Sequence, residues 1–189
     1  MKHRILKIQK TMHGQSLIEL ALLLPPMLLL VFGVIDFARA IQFNNILVAM
    51  SREGANLSAR TSASPQVIIK GLNATAEPLV MKDNGMMYIT KITGTKVGAN
   101  VVARVQLQTR QVGATTVANN QLLSQVWACA SWDNGTGNCK DNFSNATATL
   151  PMTLSDGEEV YAVETLYNYP VIFNYVMKTG PKLYSKTVL

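Results

Sequence analysis

The uncharged run from Leu20 to Ile35 constrains this chain more than any other feature, because 16 consecutive residues carry no charge. Extending the run to Leu17–Phe37 gives 21 residues and admits only Glu19 and Asp36 as charged side chains. As an α-helix, this longer run spans about 31 Å, which is enough to cross a membrane. The sequence therefore predicts one membrane-spanning helix close to the N-terminus.

The distribution of charge predicts how that helix is oriented. The chain has 17 Lys and Arg against 11 Asp and Glu, a formal net charge of +6. Residues 1–14 contain no acid, and without them 13 cations and 11 acids remain, a net charge of +2. A cationic N-terminal side predicts a cytoplasmic N-terminus, with the residues after about position 40 outside. The other cations are scattered without interleaved aromatic residues, so we expect no nucleic-acid partner.

Helical spacing continues beyond the apolar run. Residues 41–55 repeat apolar side chains at near-helical intervals, so one helix is predicted from about residue 16 to residue 60, half in lipid and half amphipathic. Pro25 and Pro26 interrupt it, because a proline removes a backbone donor and its ring clashes with the preceding turn. We therefore expect a kink or a locally melted turn around residues 21–26.

The remaining chain predicts a small α+β domain. A second helix is expected from Gln66 to about Val80, with one apolar side formed by Val67, Ile68, Leu72, Ala76 and Leu79. Alternating residues predict a half-buried strand over residues 86–93 and further strands over residues 99–109 and 158–171. In the second of these, Val101, Ala103, Val105 and Leu107 are predicted to share one face. Helices followed by antiparallel strands predict the α+β class.

The two cysteines predict a disulfide and no metal site. Cys129 and Cys139 are ten residues apart in a part of the chain predicted to lie outside the membrane. A bridge there contributes roughly 2.5–3 kcal/mol in the loop-entropy model, and the alternative is two free thiols. The histidines of the sequence are His3 and His13. The later residues therefore lack the imidazole ligand of common metal sites and the imidazole base of common hydrolase sites. We therefore expect no metal, no cofactor, no small-molecule substrate and no enzymatic activity.

Three interpretations of the N-terminus fit its composition. The first is a cleaved secretion signal, in which Ala38-Arg39-Ala40 supplies an A-x-A cleavage motif. The second is an uncut membrane anchor with Glu19 near the cytoplasmic interface, where a carboxylate costs less than at the bilayer centre. The third rests on a resemblance: "HGQSLIEL" followed by an apolar stretch resembles a type IV prepilin-like signal.

This resemblance narrows to the TadE-like segment of the pseudopilins of Flp (Tad) pili, and it covers about residues 14–60. The matching positions are Gly14, Glu19, Pro25, Gly33, Asp36, Phe37, Arg39, Arg52, Glu53, Gly54 and Ala55. The chain departs from the pattern at Leu20, where an aromatic residue is frequent, at Ser51, where alanine is usual, and at Asn56, where arginine is usual. The later "ETLYNYPVI" resembles the strand that ends many of these proteins.

The resemblance implies a pilin-like architecture with three parts. These are a cytoplasmic leader at residues 1–14, a transmembrane and extended helix at residues 15–60, and a periplasmic α+β domain at residues 61–189. It implies cleavage between Gly14 and Gln15 by a prepilin peptidase, which leaves Glu19 as the fifth residue of the mature chain. Glu19 would then pair with the new amino terminus of a neighbouring subunit and set the register between their helices.

The implied function is that of a minor pseudopilin that contributes to pilus assembly or initiation and so to surface adhesion. Its implied location is the inner membrane, with the pilus at the cell surface as a second location. The implied partners are the prepilin peptidase, other minor pseudopilins, the major Flp-type pilin and the inner-membrane assembly platform. The alternative is an uncleaved, single-pass membrane protein that carries a periplasmic binding or adhesion module.

Overall fold

The long N-terminal helix is continuous. The structure is a computed structural model that describes residues 13–115, 118, 121–172 and 180–189. In it, α1 runs from His13 to Arg60 with Pro25 and Pro26 inside the helix. The locally melted turn expected at residues 21–26 is therefore wrong, because the helix accommodates both prolines, whereas a bend of its axis stays a prediction. Residues 1–12 of the predicted leader lie outside the described residues.

The chain divides into two compact units, of which one ends at Arg39 and the other comprises Ala40–Leu189. In the first, α1 is the membrane-compatible element: among the described residues it is the helix long and apolar enough to cross a membrane. The second unit contains the last five turns or so of α1 together with the α+β domain.

The second helix is shorter than predicted. α2 spans Pro65–Ala74, begins with proline in its first turn after the extended Ser64, and has Thr75 as its C-cap. Pro78 explains why the helix does not reach Val80, because the residue before a proline disfavours helical geometry and proline cannot donate a helical hydrogen bond. The predicted face is also partly wrong: Val67 is 61% exposed. The buried side of α2 consists of Ile68, Ile69 and Leu72.

Four antiparallel strands follow, and they confirm the α+β class. A single turn of helix, α3 (Met81–Asn84), leads into β1 (Gly85–Val97), which is joined by a hairpin to β2 (Asn100–Arg110). β3 (Glu159–Asn168) and β4 (Lys182–Val188) complete the sheet, whose order is β2-β1-β3-β4. β1 and β3 therefore occupy the centre, and β4 is a C-terminal edge strand.

The central strands are covered on both faces, so the prediction of a half-buried first strand is wrong. Residues 85–90 of β1 are all buried. One face of the sheet packs against α1 and α2 through Met87, Ile89 and Val163. The opposite face packs against the segment between β2 and β3, residues 111–158, which we call the covering segment. The sequence pattern left this segment without predicted structure. This segment replaces the second helical layer that a doubly covered sheet would otherwise need.

A β-bulge divides β2 into two registers. Lys91 of β1 lies opposite Leu107, but the next residue, Ile92, lies opposite Val105, which leaves Gln106 without a partner in β1. Because an extra residue reverses the alternation of side chains, Val105 packs with Ile92 while Leu107 belongs to the other face. The prediction of a single apolar face along β2 is wrong for this reason.

Candidate assembly helix

The predicted cleavage site and carboxylate lie in the first turns of α1. Gly14 and Gln15 are within the helix, which begins at His13, and Glu19 is exposed. Position 15 lies one turn before Glu19, and residues four apart are neighbours on a helix surface. The helix therefore places the residue that cleavage would make N-terminal on the same side as the carboxylate. Cleavage itself and the pairing of Glu19 stay predictions.

The next five turns of α1 expose an apolar surface on all sides. Leu22 is 73% exposed and Phe37 is 70% exposed. Burying one such side chain is worth about 1.5–3 kcal/mol, so leaving this surface in water would be unfavourable by tens of kcal/mol. It consists of Leu17, Ile18, Leu20, Leu22, Leu23, Leu24, Met27, Leu28, Leu29, Leu30, Val31, Phe32, Val34, Ile35 and Phe37. An apolar helix of this length is compatible with a single-pass membrane anchor.

The C-terminal part of α1 buries one face against the sheet and α2. Its buried residues are Phe43, Leu47, Met50, Ser51, Gly54, Ala55 and Ser58. Their spacing of three and four residues is that of one helix face. Arg52 and Glu53 are exposed, as their charges predict, whereas Gly54 and Ala55 are buried. The "REGA" sequence therefore consists of two solvent-exposed residues followed by two residues that pack in the core.

At Gly54, α1 packs closely against the rest of the domain. A Cβ atom there would lie 2.8 Å from Met87 Cε, 3.0 Å from Val163 Cγ1 and 3.2 Å from Leu72 Cδ1. These three side chains belong to β1, β3 and α2. Because residue 54 has no side chain, all three elements can pack closely against α1 there. The position thus has a packing explanation, which the resemblance alone did not supply.

Hydroxyl groups join the same helix face to β3 and β4. Ser51 is fully buried, and its Oγ atom lies 2.9 Å from Ser185 Oγ and 3.0 Å from Thr187 Oγ1. The Thr165 hydroxyl donates a 3.0 Å hydrogen bond to the Leu47 carbonyl oxygen. Because buried hydroxyls need partners, these bonds fix one rotational setting of the helix on the sheet. Ser51, which stands where alanine is usual, therefore forms hydrogen bonds to the sheet in this chain.

Aromatic residues complete the contact. The Phe43 ring packs edge-to-face against Tyr167 at 5.6 Å and against Tyr169 at 5.3 Å. The Tyr167 hydroxyl in turn accepts a 3.3 Å hydrogen bond from the backbone N–H of Val80. Thr165, Tyr167 and Tyr169 all come from "ETLYNYPVI". The two segments that carried the resemblance therefore pack against each other.

A buried carboxylate lies on the opposite face of β3, and sequence analysis did not identify it as special. Glu164 is 0% exposed. Its Oε1 atom accepts hydrogen bonds from the backbone N–H groups of Gln125 at 2.8 Å and Val126 at 3.2 Å and from the Tyr184 hydroxyl at 2.9 Å. Its Oε2 atom accepts one from the Ser124 hydroxyl. The only hint in the sequence was an acid within the strand pattern "VYAVETLY".

The Glu164 carboxylate joins the covering segment to β3 and β4. It also affects the pKa of two tyrosines. Burial, reinforced by the nearby Glu164 charge and its hydrogen bond, raises the pKa of Tyr184. Burial is also the main cause that raises the pKa of Tyr88, which Arg110 partly opposes. Both phenols are therefore held in their neutral, hydrogen-bond-donating form. The arrangement is a closed structural network with no solvent-exposed carboxylate.

The cysteines are joined in the structure. Cys129 and Cys139 form a disulfide with a Cα–Cα distance of 6.1 Å. They also lie near the Asp141 carboxylate, a grouping that could in principle hold a metal ion. Bonded sulfurs are not thiolates, and metal ligation by cysteine needs the thiolate. The disulfide therefore closes a loop in the covering segment.

Comparison with known proteins agrees with the position of these features. The family model described as TadE-like protein matches residues 14–56, roughly a quarter of the chain. No curated protein and no solved structure gives a match. The matched range begins at Gly14 and includes the apolar helix, Gly54 and Ala55. Residues 14–56 are therefore similar to TadE-like proteins, and the rest of the chain lies outside this match.

Proposed function

We propose that the protein is a minor pseudopilin of a Flp/Tad-type pilus, made as a precursor and cleaved after Gly14 by a prepilin peptidase. The observation that carries the proposal is the TadE-like match, which starts at this glycine and covers the exposed apolar helix. In this account, residues 1–14 are removed and residues 15–60 form the transmembrane and extended helix. Residues 61–189 are the periplasmic part of the molecule.

The proposed location is the inner membrane, with the N-terminus in the cytoplasm, and the pilus at the cell surface is proposed as a second location. The excess of cations before Gly14 supports the orientation. The proposed partners are the prepilin peptidase, the other minor pseudopilins, the major Flp-type pilin and the assembly platform. The protein would have a non-enzymatic role in pilus assembly or initiation, and so in adhesion.

Glu19 is proposed to act at the helix-to-helix contact. Cleavage would remove four cations from the cytoplasmic end and create an ammonium group at Gln15. A carboxylate in an apolar environment needs a cation or donor, and the new ammonium of a neighbouring subunit has the right chemistry. Such a pair would set register between helices more than it would add stability.

Replacing the helix tests this function against the alternative of an anchored periplasmic module. Residues 15–40 are exchanged for an unrelated transmembrane helix of equal length. A pseudopilin should lose pilus assembly, because its helix makes the contacts between subunits. Retained piliation and adhesion would contradict the proposal and favour the module. Protease accessibility of the periplasmic part in spheroplasts controls for insertion and orientation in both strains.

A further inference from the structure

A polar cavity of about 540 Å³ lies beside β2. It is lined by seven residues, none of them acidic: Thr95, Val97, Arg104, Gln106, Asn142, Phe143 and Ser144. The volume is within the range of small-ligand pockets. The pilus function proposed above makes no use of it.

The β-bulge places part of this lining. Gln106 is the residue of β2 that has no partner in β1, and bulges commonly redirect a side chain next to a binding site. Arg104 lies two residues earlier, opposite Thr93, and is half-buried. Its guanidinium forms no ion pair with any residue in the described part of the chain. The strand irregularity therefore brings an amide and an unneutralised cation to one cavity.

The cavity has more hydrogen-bond donors than acceptors. The Asn142 Oδ1 atom is engaged, because it accepts from the Ser144 backbone N–H at 2.9 Å and from the Ser144 hydroxyl at 2.6 Å. A ligand at this wall can accept hydrogen bonds from the side-chain NH₂ group of Asn142 and from the five N–H groups of the Arg104 guanidinium. A donor-rich, positively charged cavity fits an anionic ligand with many oxygen acceptors, and a guanidinium binds a carboxylate in a bidentate manner.

An aromatic side chain supplies an apolar wall. Phe143 lines the cavity, and its ring packs on Trp127 with centroids 5.2 Å apart. Aromatic faces carry negative charge density and favour the weakly positive C–H groups of a sugar ring. Amide and hydroxyl side chains beside such a ring can bind sugar hydroxyls as donors and acceptors.

A peptide fits this place less well, because the adjacent edge of β2 is already occupied. The Val105 N–H donates to the Ala146 carbonyl at 3.0 Å, and the Ala148 N–H donates to the Ala103 carbonyl at 2.9 Å. Addition of a peptide as a further strand would require these backbone bonds to break. We propose that this cavity, which we call the β2 pocket, binds an acidic saccharide, with Arg104 on the carboxylate and Phe143 against the sugar ring.

Titration of the purified full-length chain in a polyoxyethylene detergent tests the proposal, with trigalacturonate as the probe. The fluorescence of Trp127 should change on binding, with a Kd of about 1 mM or tighter. Maltotriose, which is neutral, should bind at least about tenfold more weakly if the carboxylate is recognised. Equal binding of the two sugars, or no binding of trigalacturonate, would overturn the proposal.

Substitutions locate the binding. Arg104→Gln should weaken trigalacturonate binding by about tenfold or more, and Gln106→Ala, at the exposed bulge, by a smaller factor. Arg52→Gln makes the same charge change on the exposed side of α1 and should leave binding unchanged. Unaffected binding in both pocket variants, or tri-glutamate binding as tightly as trigalacturonate, would contradict an acidic-saccharide site. The assay uses purified protein, so its result does not depend on whether the chain acts in a pilus.

Discussion

Gly54 of α1 lies so close to Met87 of β1 that a Cβ atom at residue 54 would come within 2.8 Å of the Met87 Cε atom. The contact explains why a glycine is placed in the middle of a helix, where it lowers helix stability relative to alanine by about 1 kcal/mol. Close packing of α1 on the sheet offsets that loss. The C-terminal part of the TadE-like segment is therefore part of the domain's core.

Gly54→Leu should lower the free energy of unfolding by about 1–3 kcal/mol, because the side chain overfills the space among Met87, Val163 and Leu72. Gly71→Leu is the matched control, since a Cβ at this α2 glycine meets nothing within 4 Å. The control should leave stability unchanged or raise it by up to about 1 kcal/mol. Denaturant unfolding of both variants in detergent, followed by tryptophan fluorescence, measures the difference. Equal stabilities for the two variants would refute the packing role of Gly54.

Glu164→Gln should destabilise the domain by about 2 kcal/mol, because an amide replaces one of two acceptor oxygens by a donor that faces other donors. The substitution leaves without an acceptor either the Ser124 hydroxyl on one oxygen or the donors on the other oxygen, which include the Tyr184 hydroxyl. Glu53→Gln makes the same change at an exposed site and should shift the unfolding midpoint little. A Glu164→Gln protein as stable as the Glu53→Gln protein would show that the network contributes no net stability.

Alkaline pH should destabilise the fold through Tyr88 and Tyr184. The pKa values of Tyr88 and Tyr184 are raised above the usual value, mainly by burial, so the folded state holds these protons more tightly than the unfolded state. The associated stability is fully present below about pH 10, the pKa of an unfolded tyrosine, and is lost progressively at higher pH. Tyr184→Phe should reduce the slope of stability against pH between about pH 10 and pH 12. Stability that is constant or rises over this interval would contradict the raised pKa values.

Glu19→Ala should leave cleavage largely intact and impair pilus assembly, because the carboxylate is proposed to set register after cleavage. Glu53→Ala removes a carboxylate from the exposed side of the same helix and should assemble like the parent. Immunoblots distinguish precursor from mature protein, and electron microscopy counts pili. Normal piliation in the Glu19→Ala strain would argue against a register-setting carboxylate.

The sequence predicted those features that depend on regular patterns. An uncharged run of helical length fixed the position of α1, and alternation in "EEVYAVETLYNYPV" located β3. The covering segment had no such pattern, because its residues are positioned by individual hydrogen bonds and not by a repeating face. The burial of both sheet faces, and with it the role of Glu164, could therefore not be predicted.

Local irregularities account for the other differences. The extra residue at Gln106 reverses the faces of β2, and no pattern of apolar residues marks such a bulge in advance. Pro78 prevents α2 from continuing to Val80. The proline is visible in the sequence, but the apolar spacing of Ala76 and Leu79 predicted a helix across it. The resemblance located Gly14, Glu19 and Gly54, whereas the reason for Gly54 required the contact with Met87.

The mass of the mature N-terminal peptide tests the central claim most directly. The protein is purified from cells with an active prepilin peptidase and from a matched strain lacking that enzyme, and its N-terminal peptide is identified by mass spectrometry. The account predicts a mature chain that begins at Gln15 in the first strain and an intact precursor in the second. A chain that begins at Ile41, or one that still begins at Met1 when the peptidase is active, would contradict it.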